Sequence, residues 1–273
     1  HLFDTDRDAA AKIHRESVER VREGIEDGEM VLYYQPKVNM QTREVVGAEA
    51  LIRWQHPERG LLAPAEFLPV VENDPVSVAM GEWVIESALK QIAEWKALGL
   101  DLPVSVNMGA YQLQQPDFVQ KLKASLVRHP LVPRFGLELE ILETSAIEDL
   151  AVVSGILHAC RAGGVLCALD DFGTGYSSLM YLKHLPAETL KIDRSFIRDM
   201  LSDPDDLAIV SGIVGLAKAF GRKVIAEGVE TEAHGEKLIA LGCPVAQGYG
   251  IARPMPAEQM AQWAKRWKSL ATV

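Results

Sequence analysis

The stretch Val45-Val46-Gly47-Ala48-Glu49-Ala50-Leu51 is a short aliphatic run with an acid near its end, and the same form returns four times along the chain. It recurs in Val104-Ser105-Val106-Asn107, Leu137-Glu138-Leu139-Glu140-Ile141, Leu166-Cys167-Ala168-Leu169-Asp170-Asp171 and Val224-Ile225-Ala226-Glu227. Length and composition make each a short strand. Helical stretches separate most of them, and alternating strand and helix builds parallel βα units. Functional side chains in such folds gather where the strands end at their C-termini, so Glu49, Asn107, Glu140, Asp170, Asp171 and Glu227 are expected to converge. Strand-like segments at 31–38, 45–54, 103–108, 137–142, 166–171, 189–193, 223–228 and 244–249 match the strand number of a TIM-type α/β barrel. The first two are joined by Asn39-Met40-Gln41-Thr42-Arg43, too short for a helical crossover, so one strand must run antiparallel.

Side-chain parity sharpens the expectation, because successive strand residues face opposite sides. Leu137, Leu139 and Ile141 share the face that covers helices, which turns Glu138 and Glu140 inward. The same rule turns Glu49, Arg53, Asn107, Lys191 and Asp193 inward. Clustered carboxylates without partners cost several kcal/mol each after relaxation, on the order of what a bound divalent cation relieves. A single acid at a strand end is as readily a helix cap or a turn residue. Asp170-Asp171, followed by Phe172-Gly173-Thr174-Gly175-Tyr176-Ser177-Ser178, suits metal ligation under a mobile loop better than a plain turn. Lys191 with Asp193 is open to two readings, an ion pair or a catalytic pair. Trp263 and Trp267, four apart, read as packing residues.

At 273 residues and 48% hydrophobic, the chain can bury one large core, and barrels of this kind run to about 250 residues. With 28 Lys and Arg against 38 Asp and Glu, its net charge of −10 disfavours a polymeric nucleic acid as partner. A small anion stays admissible where cations neutralise it. Cys160, Cys167 and Cys243 are odd in number and lack C-x-x-C spacing, which reads as reduced core thiols in a cytoplasmic setting. No apolar stretch approaches the roughly 20 residues of a membrane span, so no membrane contact is expected of this segment. The histidines form no zinc-hydrolase spacing. Residues 9–27 form a charged helix ending at Gly28, expected to lie outside the main core and to be weakly protected. Helices are also expected at 77–98, 208–220 and 256–270.

The run Glu49-Ala50-Leu51-Ile52-Arg53-Trp54, with Tyr34-Gln35-Pro36 upstream, resembles the signature of EAL-domain cyclic di-GMP phosphodiesterases. Val106-Asn107-Met108, Glu140-Ile141-Leu142-Glu143, Asp170-Asp171-Phe172-Gly173-Thr174-Gly175, Lys191-Ile192-Asp193, Ala226-Glu227-Gly228-Val229-Glu230 and Gln247-Gly248-Tyr249 follow in family order. The resemblance covers about residues 31–263 and implies a modified (β/α)8 barrel with one antiparallel strand. It implies two Mg2+ or Mn2+ ions on Glu49, Asn107, Glu140, Asp170 and Asp171, with Ca2+ inhibitory. It assigns Glu227 and Lys191 to the attacking water, either one handling its proton, with Gln247 in support. Gln35, Leu51, Arg53, Asp193 and Gln247 go to substrate, and Glu143 anchors the 171–178 loop. Leu142 stands where the family commonly has Thr, which bears on loop coupling rather than on metal binding.

The implied activity is hydrolysis of cyclic di-GMP to linear pGpG by in-line attack of an activated water. The alternative is a receptor that binds the nucleotide without cutting it, and a barrel enzyme of unrelated chemistry would not carry the whole motif set. The resemblance also implies a homodimer through the helices beside the loop. Residues 1–29 are expected to be a linker helix, with His1-Leu2-Phe3-Asp4 closing a GGDEF-type domain upstream, and residues 30–273 the barrel.

Overall fold

The computed structural model describes residues 2–148, 150–175 and 179–269. Its strands are β1 (Met30–Asn39), β2 (Glu44–His56), β3 (Gly60–Leu62), β4 (Val104–Met108), β5 (Leu137–Leu142), β6 (Leu166–Phe172), β7 (Thr189–Ile192), β8 (Lys223–Ala226), β9 (Val245–Ala246) and β10 (Met255–Pro256). β2, β4, β5, β6, β7, β8 and β9 follow one another in parallel, and β1 closes the ring by pairing antiparallel with both β2 and β9. The result is a closed eight-stranded barrel with one reversed strand, as the short 39–43 connection requires. β3 and β10 are short antiparallel additions at its margin, unanticipated because two or three residues carry no readable alternation.

Helices Pro75–Ala97, Phe118–Arg128, Leu150–Ala162, Pro204–Ala219, Glu232–Leu241 and Ala257–Ser269 supply the outer layer. In β5 the parity rule holds in detail: Leu137, Leu139 and Ile141 are sealed in the apolar core, and Glu140 is equally buried on the opposite face. Trp263 and Trp267 stack with ring centroids 5.4 Å apart, and Trp263 packs against the core. Cys160, Cys167 and Cys243 are free and buried. No helix among the described residues is long and apolar enough to cross a membrane.

The N-terminal helix, Leu2–Glu26, corrects two expectations. It begins earlier than 9, since Leu2–Asp4 are already helical; His1 lies outside the described residues. It also belongs to the core, since Val18 and Val21 are buried there with Trp54. Beside this apolar contact the helix is held by a polar one. Trp54 Nε1 donates to Glu29 Oε2 at 2.7 Å, Arg20 grips the same carboxylate at 2.7 Å, and the Arg20 guanidinium lies 5.1 Å from the indole. Gly24 lets the helix approach so closely that a Cβ there would stand 3.0 Å from three indole atoms. Gly28 then ends the turn at φ +71°, in the left-handed region.

Gly24→Ala separates two opposed effects. Helix propensity alone favours alanine by about 1 kcal/mol, whereas overpacking against a held indole costs about 1–3 kcal/mol. Overpacking is expected to win, giving a net loss on the order of 1 kcal/mol in denaturant unfolding and faster amide exchange over residues 18–26. A stabilised variant would show that the contact yields.

Candidate active site

Lys191 organises the barrel mouth. It is fully buried on β7, and its Nζ lies 2.5 Å from Glu140 Oε2, 2.6 Å from Glu227 Oε1, 3.1 Å from Asp170 Oδ1 and 3.5 Å from Glu49 Oε2. Four strands, β2, β5, β6 and the end of β8, thus deliver carboxylates to one ammonium. Burial alone would pull the ammonium's pKa down, but Glu140, Glu49, Glu227 and Asp170 together hold it well above its ordinary value. Asp193 is not its partner. That side chain instead caps the helix Arg194–Asp199, accepting from Ser195 N at 3.0 Å and from the Ser195 hydroxyl.

The two adjacent aspartates require a departure from regular strand geometry, because neighbours on a strand point apart. Leu169 pairs with Leu190 but Phe172 with Ile192, so β6 carries one extra residue at this point. Asp171 takes φ +52°, the left-handed region that side chains other than glycine seldom adopt. Its N–H donates to Asp170 Oδ1 at 3.0 Å. The bulge turns both carboxylates to the same side, where one oxygen from each of Asp170, Asp171 and Glu227 lies within 4.8 Å of the others. These three could hold a hard cation. Asn107 joins by donating to Glu49 Oε1 at 2.7 Å, and Gln247 by donating to Glu49 Oε2 at 2.6 Å and Glu227 Oε1 at 3.3 Å.

Around this centre, Gln35 is buried and donates to the Ala252 carbonyl, while half-buried Arg53 stands 5.7 Å from the Tyr33 ring and donates to the Ile52 carbonyl. Leu51 faces Tyr33 across β1 and β2. Glu143 is buried, and its Oε2 accepts the N–H groups of Gly173 at 3.0 Å and Gly175 at 3.4 Å. Gly173, at φ +102°, has no room for a side chain, since a Cβ would stand 2.9 Å from Ile213 and 3.0 Å from Phe196. Tyr176, Ser177 and Ser178 of the expected loop lie outside the described residues. Leu142, beside Glu143, is exposed at 40%.

Two residues escaped the sequence reading. Lys37 is buried within 2.6 Å of Glu140 Oε1 and 3.2 Å of Glu138 Oε1. Its signal was parity, since it shares the inward face of Gln35. Glu138, read only as inward, is bound on its other oxygen by Thr189 Oγ1 at 3.1 Å.

Fold and mouth together define a (β/α)8-type barrel with an acid-lined centre of oxygen donors suited to hard cations. The chain belongs to the EAL domain family, whose model matches residues 18–254. It is 44% identical over 260 residues to the bifunctional diguanylate cyclase/cyclic di-GMP phosphodiesterase MucR of Pseudomonas aeruginosa, a match covering 95% of this chain and 38% of that protein. It is 38% identical over 243 residues to the cyclic di-GMP phosphodiesterase PA2567 of the same organism, covering 89% and 41%. The chain therefore spans about two fifths of these relatives. A solved MucR phosphodiesterase in complex with c-di-GMP superposes with a TM-score of 0.86 at 45% identity, covering 90% of this chain and 99% of that one.

Protonation at the mouth gives a test. Burial, reinforced by Asp170, raises Asp171 to about 6, and burial raises Glu227 to about 8 against the pull of Lys191. Glu227 thus keeps its proton at neutral pH and Asp171 keeps its own only below about pH 6, and a divalent cation must displace them. Affinity for Mn2+ is therefore expected to climb between pH 6 and 8, with proton release at pH 7 visible by calorimetry in buffers of different ionisation heat. Affinity flat across this window, without proton release, would contradict this account.

Proposed function

We propose that this chain hydrolyses cyclic di-GMP to linear pGpG. The observation that carries the reading is the convergence of Glu49, Glu140, Asp170, Asp171 and Glu227 at the barrel mouth, in a chain 45% identical to a phosphodiesterase solved with that nucleotide. An acid-lined mouth repels a phosphodiester unless cations intervene. The donors are carboxylates and an amide, which favours Mg2+ or Mn2+. Held by Glu49, Asn107, Glu140, Asp170 and Asp171, two such ions would screen the phosphate and acidify a water.

The chain's own residues handle the remaining work. Glu227 takes the proton of the attacking water, a role suited to an acid whose pKa lies near neutrality. Lys191, 2.6 Å from Glu227, orients that carboxylate and answers charge building on the phosphate. Gln247 fixes Glu227 and Glu49 relative to each other. The water oxygen bonds to phosphorus as the bond to the 3′ oxygen breaks; that oxygen leaves and ends protonated, consuming one water. Arg53, Gln35, Leu51 and Asp193 contact the dinucleotide, and Glu143 holds residues 173–175 over the site. The chain works in the cytoplasm as a homodimer. Its joining through the helix Leu2–Glu26 to a GGDEF-type domain is supported by the two activities in MucR's name and that protein's greater length.

Turnover followed by chromatography tests the chemistry. Chelation should abolish pGpG formation, Mn2+ or Mg2+ should restore it, and Ca2+, with its longer and looser coordination, should not. Glu227→Gln should lose about 10²–10⁴-fold in turnover while binding nucleotide nearly as before. Undiminished turnover after exhaustive chelation, or binding without any cleavage, would overturn the reading.

Glu143→Ala removes, among the described residues, the hydrogen bonds to Gly173 and Gly175, and takes no oxygen from the mouth. It should lower turnover about tenfold and speed amide exchange at Gly173 and Gly175, with Mn2+ affinity unchanged. Wild-type kinetics together with wild-type exchange would deny Glu143 its anchoring role.

A further inference from the structure

Beneath the mouth lies a second polar layer. In the strand registers Lys37 pairs with Gly47, Glu138 with Ser105, and Thr189 with Lys223, each one inward step toward the N-terminal end from Gln35, Glu140 and Lys191. Barrel layers are ordinarily filled by branched apolar side chains. Here Lys37 Nζ spans two carboxylates, Glu138 at 3.2 Å and Glu140 at 2.6 Å, and Thr189 completes Glu138. Stability does not account for such a layer, because apolar residues of similar volume are commonly as stabilising as a buried ion pair or more so. What the layer does is grip Glu140 from below. Lys37 takes Oε1 and Lys191, on the mouth side, takes Oε2 at 2.5 Å.

We infer that Lys37 is a positioning residue for the proposed cation centre. By pinning Glu140 Oε1 it stops the carboxylate from pivoting and leaves Oε2, which Lys191 holds on the mouth side, as the oxygen that would meet a cation. The inference rests on the reading of the mouth given above. Outer partners of this kind are typically worth about 10–100-fold in metal affinity or activity.

The test is Mn2+ binding to the whole chain by calorimetry, beside steady-state turnover. Lys37→Met should weaken Mn2+ binding at least about tenfold and lower kcat, with KM for cyclic di-GMP within about threefold of wild type, because Lys37 lies a layer below the mouth. Lys37→Arg should restore affinity to within about threefold. It has room, since Lys37 borders a cavity of about 910 Å³ at the N-terminal end of the barrel. Because Lys37→Met strands Glu138, the same comparison is made in Lys37→Met/Glu138→Gln, which removes both charges and should show the same loss; Glu138→Gln alone should not. Lys37→Met, or the double variant where the single one fails to fold, with wild-type Mn2+ affinity and kcat overturns the inference. So does an equal loss in Glu138→Gln, which would make the layer responsible rather than the ammonium. A wild-type chain that neither binds Mn2+ nor cleaves overturns the reading of the mouth itself, and the role of Lys37 with it.

Discussion

One ammonium, Lys191, sealed from water among four carboxylates, is the constraint on which the barrel's interior rests. An unpaired buried charge costs several kcal/mol, so neither Lys191 nor its partners could occupy these positions alone. Yet the account does not balance within the protein. Lys37 and Lys191 face Glu49, Glu138, Glu140, Asp170 and Glu227, two positive charges against five acids. Burial raises Glu49 and raises Glu227 to about 8, while Lys191 and Lys37 hold Glu140 well below the usual carboxylate range despite its burial. The network is therefore graded. Glu140, between two ammoniums, is the fixed anion, and Glu227 is the member poised to exchange a proton. On the proposed reading, that inequality is what would let one cluster supply both a cation ligand and a base.

Much of this was legible because the relevant code has a period of two. Glu140, Lys191 and Glu49 each alternate with aliphatic neighbours, and a barrel assigns those two classes to opposite faces. The antiparallel first strand was equally legible, from a connection too short to cross a barrel. Asp170 and Asp171 mark where the code stops. Adjacent residues cannot share a face on a regular strand, and only the bulge between Leu169 and Phe172, with Asp171 in the left-handed region, brings them together. A bulge depends on pairing with β7, a partner about twenty residues away, so local pattern could name both acids without saying how they meet. Lys37 escaped for a related reason. A lysine on a strand reads as solvent-facing until Glu138 and Glu140, a hundred residues on, are known to surround it.

The N-terminal helix shows the same limit on the apolar side. Its charge pattern describes a solvated helix, yet Val18, Val21 and Ile25 turn a short apolar stripe to the core, and specific polar contacts add to it. Glu29 accepts from both Trp54 and Arg20, and Gly24 clears space for the indole. Such contacts involve a glycine, an acid and a tryptophan, none of which raises an amphipathic signal.

Their location gives them a consequence. β2 runs from Glu49, inside the mouth, through Arg53 to Trp54, and successive residues along it face alternately inward and outward. Trp54, on the outer side, is clamped by Glu29, by edge-on contact with Phe67 at 5.6 Å, and by the helix above it. Arg53, next in the chain, is half-buried and tied by its guanidinium to the Ile52 carbonyl. A displacement of the helix must therefore be absorbed at Trp54 before it reaches Arg53 and, four residues earlier, Glu49. Because Glu49 is bound at once to Lys191, Asn107 and Gln247, the network resists displacement at that end. Between the clamped indole and the fixed carboxylate, Leu51 and Arg53, both on the inward face, are the side chains of this strand left half-buried.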